Sequence, residues 1–235
     1  MTENITKTQK LKTRNPKSDI EQIVVISKYE FYRFIRGYRL PGLIIIALLA
    51  ASLIVLIPLL TNSEIPSDSR EYAKWYVNFV NLLVVLSITF YGADMLCGEI
   101  QNRTAYILFP NPVKREIIFF GKFLASIYAG TIVLGIYYTF TASAVAIRTG
   151  NIPGELERSF LLALFYFISG LGVAYLISGL LRGTTGANVL TFVLFFLIFP
   201  IITTIMQFTQ VKPYFSITFA AQVISDVLTV PYPSD

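Results

Sequence analysis

Five apolar segments, each long enough to cross a membrane as a helix, constrain the fold of this chain more than any other feature. About 20 helical residues span the ~30 Å hydrocarbon core of a bilayer, whereas a barrel strand needs only about 10 residues of alternating polarity. The sequence therefore predicts an all-α membrane protein. The predicted spans are Leu40–Thr61, Tyr76–Gly98, Ile117–Ile147, Ser159–Leu181 and Asn188–Phe208.

The composition agrees with this prediction. Of the 235 residues, 54% are apolar and only 14% are charged, against the roughly 25% charged residues of an average soluble domain. A soluble domain of this size leaves a large share of its surface in water and needs polar residues to cover it. The bilayer is therefore the expected solvent for most of this chain.

The sequence contains no histidine and one cysteine, Cys97. The usual zinc sites, Ser-His pairs and Cys-His pairs all require imidazole. Asp94 and Glu99 have no evident partner nucleophile, so we expect no catalytic residue, no metal site and no cofactor bound by this chain. A lone thiol next to an apolar segment is typical of a small buried hydrophobic residue.

The basic residues predict the orientation. Nine of the 19 Lys and Arg residues precede the first span, and cytoplasmic loops collect Lys and Arg. A cytoplasmic N-terminus then places 14 basic residues inside and five outside. Five spans bring the C-terminus to the outer face of the cell (inner) membrane. The net charge of +5 is explained by this topology and by anionic lipid, so no nucleic-acid partner is expected.

Two regions precede the first span. Residues 1–17 are polar without apolar periodicity and are predicted to be a disordered cytoplasmic tail. Residues 18–39 are predicted to form an amphipathic helix along the inner leaflet, with Ser18 or Asp19 as its cap and with Gly37 and Pro41 bending the chain into the span. The helix is either a basic anchor that fixes topology or an element that holds a partner. Its apolar positions are Ile20, Ile23, Val24, Phe31, Phe34, Ile35 and Tyr38, and its basic positions include Lys28, Arg36 and Arg39.

The segment 99–116, between the second and third spans, has an unusual sequence for a cytoplasmic connection. Residues 104–109 are predicted to form a short semi-apolar helix that ends at Pro110 and Pro112. A simple turn needs only about four to six polar residues, whereas this segment presents Tyr106 and Leu108. We interpret the short helix as a surface that presses into the groove of a partner protein.

At these positions the sequence resembles the ABC type-2 transporter permease family. The resemblance depends on an acid after the second span, a nearby Thr, a short helix with Leu, a Pro-Val-x-Arg motif and a Gly-Lys pair before a long third span. The N-terminal helix and the order of spans agree as well, over roughly residues 20 to 230. The matching residues are Glu99, Thr104, Leu108, Pro112, Val113, Arg115, Gly121 and Lys122.

The resemblance implies a permease subunit of an ATP-driven exporter. Such a subunit pairs with a second permease subunit, identical or different, and binds ATP-binding cassette subunits through the loop 99–116, which is the predicted coupling loop. ATP and Mg belong to the partner, because this sequence has no Gly-rich phosphate loop ending in Gly-Lys-Ser/Thr. The alternative is a structural subunit of a larger membrane complex that transports nothing. The expected partner-coupling residues are Glu99, Thr104, Tyr106, Leu108, Pro112, Arg115 and Lys122.

Two features depart from the family pattern. Arg103 occupies the position where the family usually has Gly, which changes the entry to the short helix. The family usually has six spans, whereas this sequence shows five, so the sixth is expected to be missing, lost by truncation or supplied by a partner. Residues 209–235 are predicted to be an extracytoplasmic segment with one short amphipathic helix, marked by Ile217, Ala221, Ile224 and Leu228.

Asp94 is the only ionisable residue predicted to lie well inside a span. Burying a carboxylate at such depth costs free energy, and such residues are often functional. We therefore expect Asp94 either to bind the Arg of the coupling loop or to line a substrate path. The alternative is that Asp94 and Glu99 lie near the headgroups and pair with Arg103, Lys114 or Arg115 to fix the end of the span.

Small and polar residues within the spans complete the sequence predictions. Small residues recur at four-residue spacing, which lets helix backbones approach closely; we expect packing within the chain first and dimer contacts second. A set of polar residues is expected mostly to form contacts between helices or to lie at the membrane interface, with the lining of a pathway as the alternative: Tyr137, Tyr138, Thr139, Thr141, Tyr166 and Asn78 or Asn81. The small residues are Gly121, Ala125 and Ala129 on one side of the third span, Thr131, Gly135, Thr139 and Ser143 on another, and Gly170, Gly172 and Ala174 in the fourth.

Overall fold

A computed structural model gives the fold of residues 18–61, 66–101, 114–208 and 217–229. These residues form helices and turns, with no strand among them. The predicted disordered tail 1–17 lies outside the described residues, and so do residues 102–113 of the predicted coupling loop.

The described helices are numbered in chain order. A π-helical turn at Leu194–Ile198 lies between α7 and α8, which together form one continuous rod. The helices are α1 (Asp19–Arg36), α2 (Arg39–Thr61), α3 (Ser69–Gly92), α4 (Cys97–Gln101), α5 (Arg115–Thr149), α6 (Glu155–Leu180), α7 (Thr184–Val193), α8 (Phe199–Phe208) and α9 (Ile217–Asp226).

Five helical segments in the described part of the chain are long and apolar enough to cross a membrane, as the sequence predicted. The second starts earlier than expected, at Ser69 instead of Tyr76, because Tyr72 and Ala73 are buried although Arg70, Glu71 and Lys74 flank them. The membrane-length segments are Arg39–Pro58, Ser69–Glu99, Arg115–Thr149, Glu155–Leu180 and Thr184–Met206.

The turn between α1 and α2 differs in detail from the prediction. Tyr38, with φ of 58°, adopts the left-handed conformation, whereas Gly37 has an ordinary φ of −82°. The bend therefore uses a residue for which this conformation is unfavourable. Pro41, which has no N–H, is accommodated in the first turn of α2, where a backbone N–H would have no helical partner. Ser18 occupies the N-cap position of α1 without a side-chain capping hydrogen bond.

The bundle core lies between α3, α5 and α6. Glycines let these helices and α1 approach closely: a Cβ at Gly121 would lie 2.7 Å from Ile26 Cγ2 of α1, and one at Gly170 would overlap the Ile88 side chain of α3. This confirms packing within the chain for Gly121 in the third span and Gly170 in the fourth. The second set of the third span faces outward in part, since Gly135 has no neighbour within 4 Å of an added Cβ and Thr139 is exposed.

Gly130 provides a direct test of this packing. A Cβ at this position would overlap the Phe167 ring of α6, so Gly130→Ala is expected to lower the free energy of unfolding by about 1 to 3 kcal/mol, as overpacking usually does. Gly135→Ala, on the same helix with open space around it, is the matched control and should be neutral or slightly stabilising. Thermal unfolding in detergent measures both variants, and equal melting temperatures would contradict the packing described here.

The hydroxyls of Tyr137 and Tyr138 bond to neighbouring helices, as expected from the sequence, whereas the buried Tyr166 hydroxyl has no hydrogen-bond partner among the described residues. Tyr137 donates to the backbone carbonyl of Tyr76 at 2.9 Å, and the hydroxyls of Tyr138 and Ser159 are 2.9 Å apart. These contacts join α3, α5 and α6. Thr141 instead donates to the carbonyl one turn earlier in its own helix.

The short helix near the C-terminus also forms as predicted. α9 packs against α6, with Ala221, Ile224 and Leu228 buried. Ser159 donates a hydrogen bond to the Ile224 carbonyl at 2.8 Å. Because Ser159 lies in the first turns of α6, α9 is fixed at the end of the bundle opposite to α1.

Candidate functional site

A buried lysine organises the end of the bundle at which α1 lies, here called the α1 end. The Lys122 ammonium is 2.7 Å from Glu30 Oε1 and 2.6 Å from Glu99 Oε1, and its side chain is only 2% exposed. Lys122 is carried by α5, Glu30 by α1 and Glu99 by α4. A single cation therefore joins three elements, two of which flank residues 102–113.

Arg33 adds a second cation to this group. Its Nε is 3.0 Å from Glu30 Oε2, and its Nη1 donates to Glu99 Oε1 at 3.3 Å. Two carboxylates and two cations balance one another, which compensates for part of the cost of removing them from water. We call Glu30, Arg33, Glu99 and Lys122 the charge cluster.

Asp94 is 8% exposed and forms a separate pair beside the charge cluster. Arg39 donates to both of its carboxylate oxygens, from Nη1 at 2.9 Å and from Nη2 at 2.5 Å. This bidentate geometry is the strong form of an Arg–carboxylate contact. The pair ties the last turn before α4 to the start of α2.

The partner of Asp94 corrects the sequence interpretation. The sequence suggested a cation of the coupling loop, namely Arg103, Lys114 or Arg115, whereas the described structure pairs Asp94 with Arg39. Lys114 instead contacts Asp19 at 2.8 Å on the surface, and this carboxylate raises the pKa of Lys114. Arg103 lies outside the described residues.

Backbone donors fix the turn that carries Glu99. Ser178 Oγ of α6 accepts hydrogen bonds from the N–H groups of Leu96 and Cys97, at 2.9 and 3.1 Å. These bonds satisfy donors at the start of α4 that have no helical partner. Cys97 itself is fully buried, which confirms its predicted role. At the other end of α4, Gln101 accepts from the Thr184 N–H at 2.8 Å, so α4 is held by both α6 and α7.

A polar cavity of about 430 Å³ opens next to these ion pairs. It is bounded by the α1–α2 turn, by α4 and its preceding turn, and by the start of α7. Residues of the charge cluster, Arg33 and Glu99, and both members of the Arg39–Asp94 pair line this cavity at the α1 end. Its lining residues are Arg33, Phe34, Gly37, Arg39, Asp94, Gly98, Glu99, Gln101 and Thr184.

The expected partner-coupling residues fall into two groups. Glu99 and Lys122 are brought together in the charge cluster, and Arg115 begins α5 on the same end of the bundle. The second group, Thr104, Tyr106, Leu108 and Pro112, lies outside the described residues.

Sequence analysis did not single out Glu30, Arg33 or Arg39 as contact residues. A signal for Glu30 was present: it lies at helical spacing from Ile23, Ile26 and Phe34 on the face of α1 that packs against the bundle. An acid on the packed face of an amphipathic helix requires a buried partner. In the described part of the chain, no group of three or more His, Cys, Asp and Glu residues forms a metal site.

Comparison with known proteins identifies one family. The profile described as ABC-2 family transporter protein matches residues 9–230, which is nearly the whole chain and includes every element of the α1 end. No curated protein matches the sequence.

Proposed function

This chain belongs to the ABC-2 transporter family and is a membrane component of an ABC transporter, and we propose that it is the permease subunit of an exporter. In this role the chain couples ATP hydrolysis by a separate subunit to substrate efflux. In this proposal the protein lies in the cell (inner) membrane, and its α1 end faces the cytoplasm. ATP and Mg bind to the partner, and the chain has no catalysis of its own.

The contact between Lys122 and Glu99 is the observation that supports this proposal most directly. Glu99 lies just before residues 102–113 and Lys122 lies shortly after them, and the two side chains meet at 2.6 Å. Both ends of the proposed coupling loop are therefore fastened to each other and, through Glu30, to α1. A movement that a partner imposes on the loop is therefore transmitted to α1, α3 and α5 together. It is not absorbed by bending of the loop alone.

The exposure of the spans supports pairing with a second permease subunit. The first and fifth spans are much less buried than the other three, and they carry exposed apolar side chains such as Leu53, Ile57 and Ile201. In a membrane such faces contact either lipid or another protein. We place the second permease subunit, identical or different, on the exposed face of one of these two spans.

Co-purification with an ATP-binding cassette subunit tests the proposed coupling. The chain is isolated from its native membranes in mild detergent, and bound proteins are identified by mass spectrometry. The variant with Tyr106→Ser and Leu108→Ser removes apolar surface from the proposed coupling helix, and we expect it to lose most of the bound ATP-binding subunit. Short apolar helices commonly contribute their binding energy through a few such side chains.

The matched control carries Ile147→Ser and Ile152→Ser, two exposed apolar residues at the opposite end of the bundle, and should retain the subunit. Equal retention by both variants would overturn the assignment of residues 99–116 as the coupling loop. A chain that never carries an ATP-binding subunit would instead support the structural-subunit alternative.

A further inference from the structure

An apolar groove runs between α1 and the first half of α5. It has a volume of about 380 Å³, and its walls are mainly aliphatic and aromatic. The floor is Ser27, which is buried, and Lys28 lies at one side. We call this feature the α1–α5 groove, and it is lined by Val24, Ser27, Lys28, Phe31, Leu124, Tyr128 and Ile132.

The groove lies where a membrane protein meets lipid. α1 contacts α5 closely at Gly121, one residue before the buried Lys122. Farther along α5, the side chains that form the groove wall turn to the bundle surface, and Tyr128 and Ile132 are 55% and 39% exposed. α1 contributes Val24, which is also 55% exposed. These apolar surfaces form a corner that opens sideways, within a span and just beyond the charged end of the bundle.

Lys28 is the free cation of this corner. It is exposed and forms no ion pair with any residue in the described ranges. Two of the three acids of the same helix are engaged elsewhere: Glu30 contacts Lys122 and Arg33, and Asp19 contacts Lys114. The third, Glu21, is exposed two turns before Lys28. On the α5 side of the groove, Leu124, Tyr128 and Ile132 bring no ionised group. Within the described residues, the ammonium charge next to the groove therefore has no ion-pair partner.

We propose that the α1–α5 groove binds one acyl chain of an anionic phospholipid, whose phosphate contacts the Lys28 ammonium. The apolar walls fit a hydrocarbon chain, and an unpaired lysine beside them fits a negative headgroup at the membrane surface. Anchoring by both parts distinguishes this site from the general attraction of basic residues to anionic lipid. The bound lipid fills the corner and holds α1 against α5, a role that goes beyond coupling to a partner ATPase.

Lipid titration followed by native mass spectrometry tests the site. The intact chain in detergent is titrated with phosphatidylglycerol, or with phosphatidylcholine carrying the same acyl chains. The bound lipids are then counted after the detergent is removed in the mass spectrometer. We expect tighter binding of phosphatidylglycerol. Lys28→Ala should weaken phosphatidylglycerol binding roughly fivefold, which corresponds to about 1 kcal/mol for one basic residue at the membrane surface. Phosphatidylcholine binding should weaken less, because its headgroup carries a phosphate but no net charge.

Two further variants make the result specific. Arg36→Ala removes another exposed cation of α1 that does not line the groove, and it should change phosphatidylglycerol binding much less than Lys28→Ala. Val24→Trp fills the groove from an exposed position and should weaken both lipids. Equal effects of Lys28→Ala and Arg36→Ala, or unchanged binding in Val24→Trp, would overturn the proposal. Melting temperatures in lipid-free detergent confirm that each variant is folded before titration.

Discussion

Replacing Lys122 with Met is expected to lower the free energy of unfolding by about 3 to 5 kcal/mol, the usual effect of removing one partner from a buried ion pair. The side chain of Lys122 is 2% exposed, and those of Glu30 and Glu99 are 12% and 17% exposed. Without the ammonium group, the two neighbouring carboxylates lose the cation that they share at 2.7 and 2.6 Å, while Arg33 still contacts both. Unfolding in detergent, followed by circular dichroism over a denaturant series, measures the change.

Lys114→Met is the matched control, because Lys114 makes one ion pair near the same end of α5 but on the surface. Its side chain is 67% exposed and that of Asp19 is 56% exposed, and exposed pairs typically contribute about 0 to 1 kcal/mol. Adding Glu30→Gln to Lys122→Met should recover part of the lost stability, since it removes one of the unpaired charges. Similar losses for Lys122→Met and Lys114→Met would show that burial does not strengthen the charge cluster.

The spans could be predicted from sequence because their signal is local. The length of an apolar run against the thickness of the bilayer decides whether a helix can cross, and no distant residue enters that comparison. The start of the second span was placed too late for the same reason. Arg70 and Lys74 lower the apolar content of its first turns, whereas the burial of Tyr72 and Ala73 depends on the neighbouring helices.

The partners in the charge cluster could not be predicted in the same way. Glu99 and Lys122 were recognised through the family resemblance, but the contact between them was not predicted. Glu30 of the charge cluster comes from α1, and Arg39 of the separate pair with Asp94 comes from the start of α2, both far away in sequence. Their positions depend on how α1 crosses α5, which is set by the close approach of Ile26 to Gly121. A single sequence does not record this crossing.

The α1–α2 turn shows a different limit. Sequence rules assign a bend to Gly37, because glycine adopts positive φ at little cost. The structure places the positive φ on Tyr38. Gly37 instead continues the hydrogen bonding of α1, because its N–H donates to the Arg33 carbonyl at 2.8 Å. This turn geometry brings Arg39 into contact with Asp94. Local residue propensity alone does not predict a positive φ at Tyr38.

Asp94→Asn is the second change expected to have a large effect, and it separates an anchor from a transport residue. The substitution keeps the size of the side chain but replaces one accepting oxygen with an amide that faces Arg39 Nη2 or Nη1. Hydrogen bonds to charged groups contribute about 1.5 to 3 kcal/mol, and Asp94 is 8% exposed, so we expect a loss of stability in that range. The Arg39 side chain is 36% exposed, which lets it reach water and keeps the loss below that of Lys122→Met.

If the pair is an anchor between α2 and the turn before α4, the reconstituted complex of the Asp94→Asn variant should retain its transport-coupled ATPase activity at temperatures well below its lowered melting point. The control is Glu157→Gln, an exposed acid at the opposite end of the bundle, which should alter neither property. A variant with an unchanged melting temperature and lost coupling would instead place Asp94 in the substrate path. The bidentate contact with Arg39 favours the anchor, because both carboxylate oxygens are already occupied by one residue of the same chain.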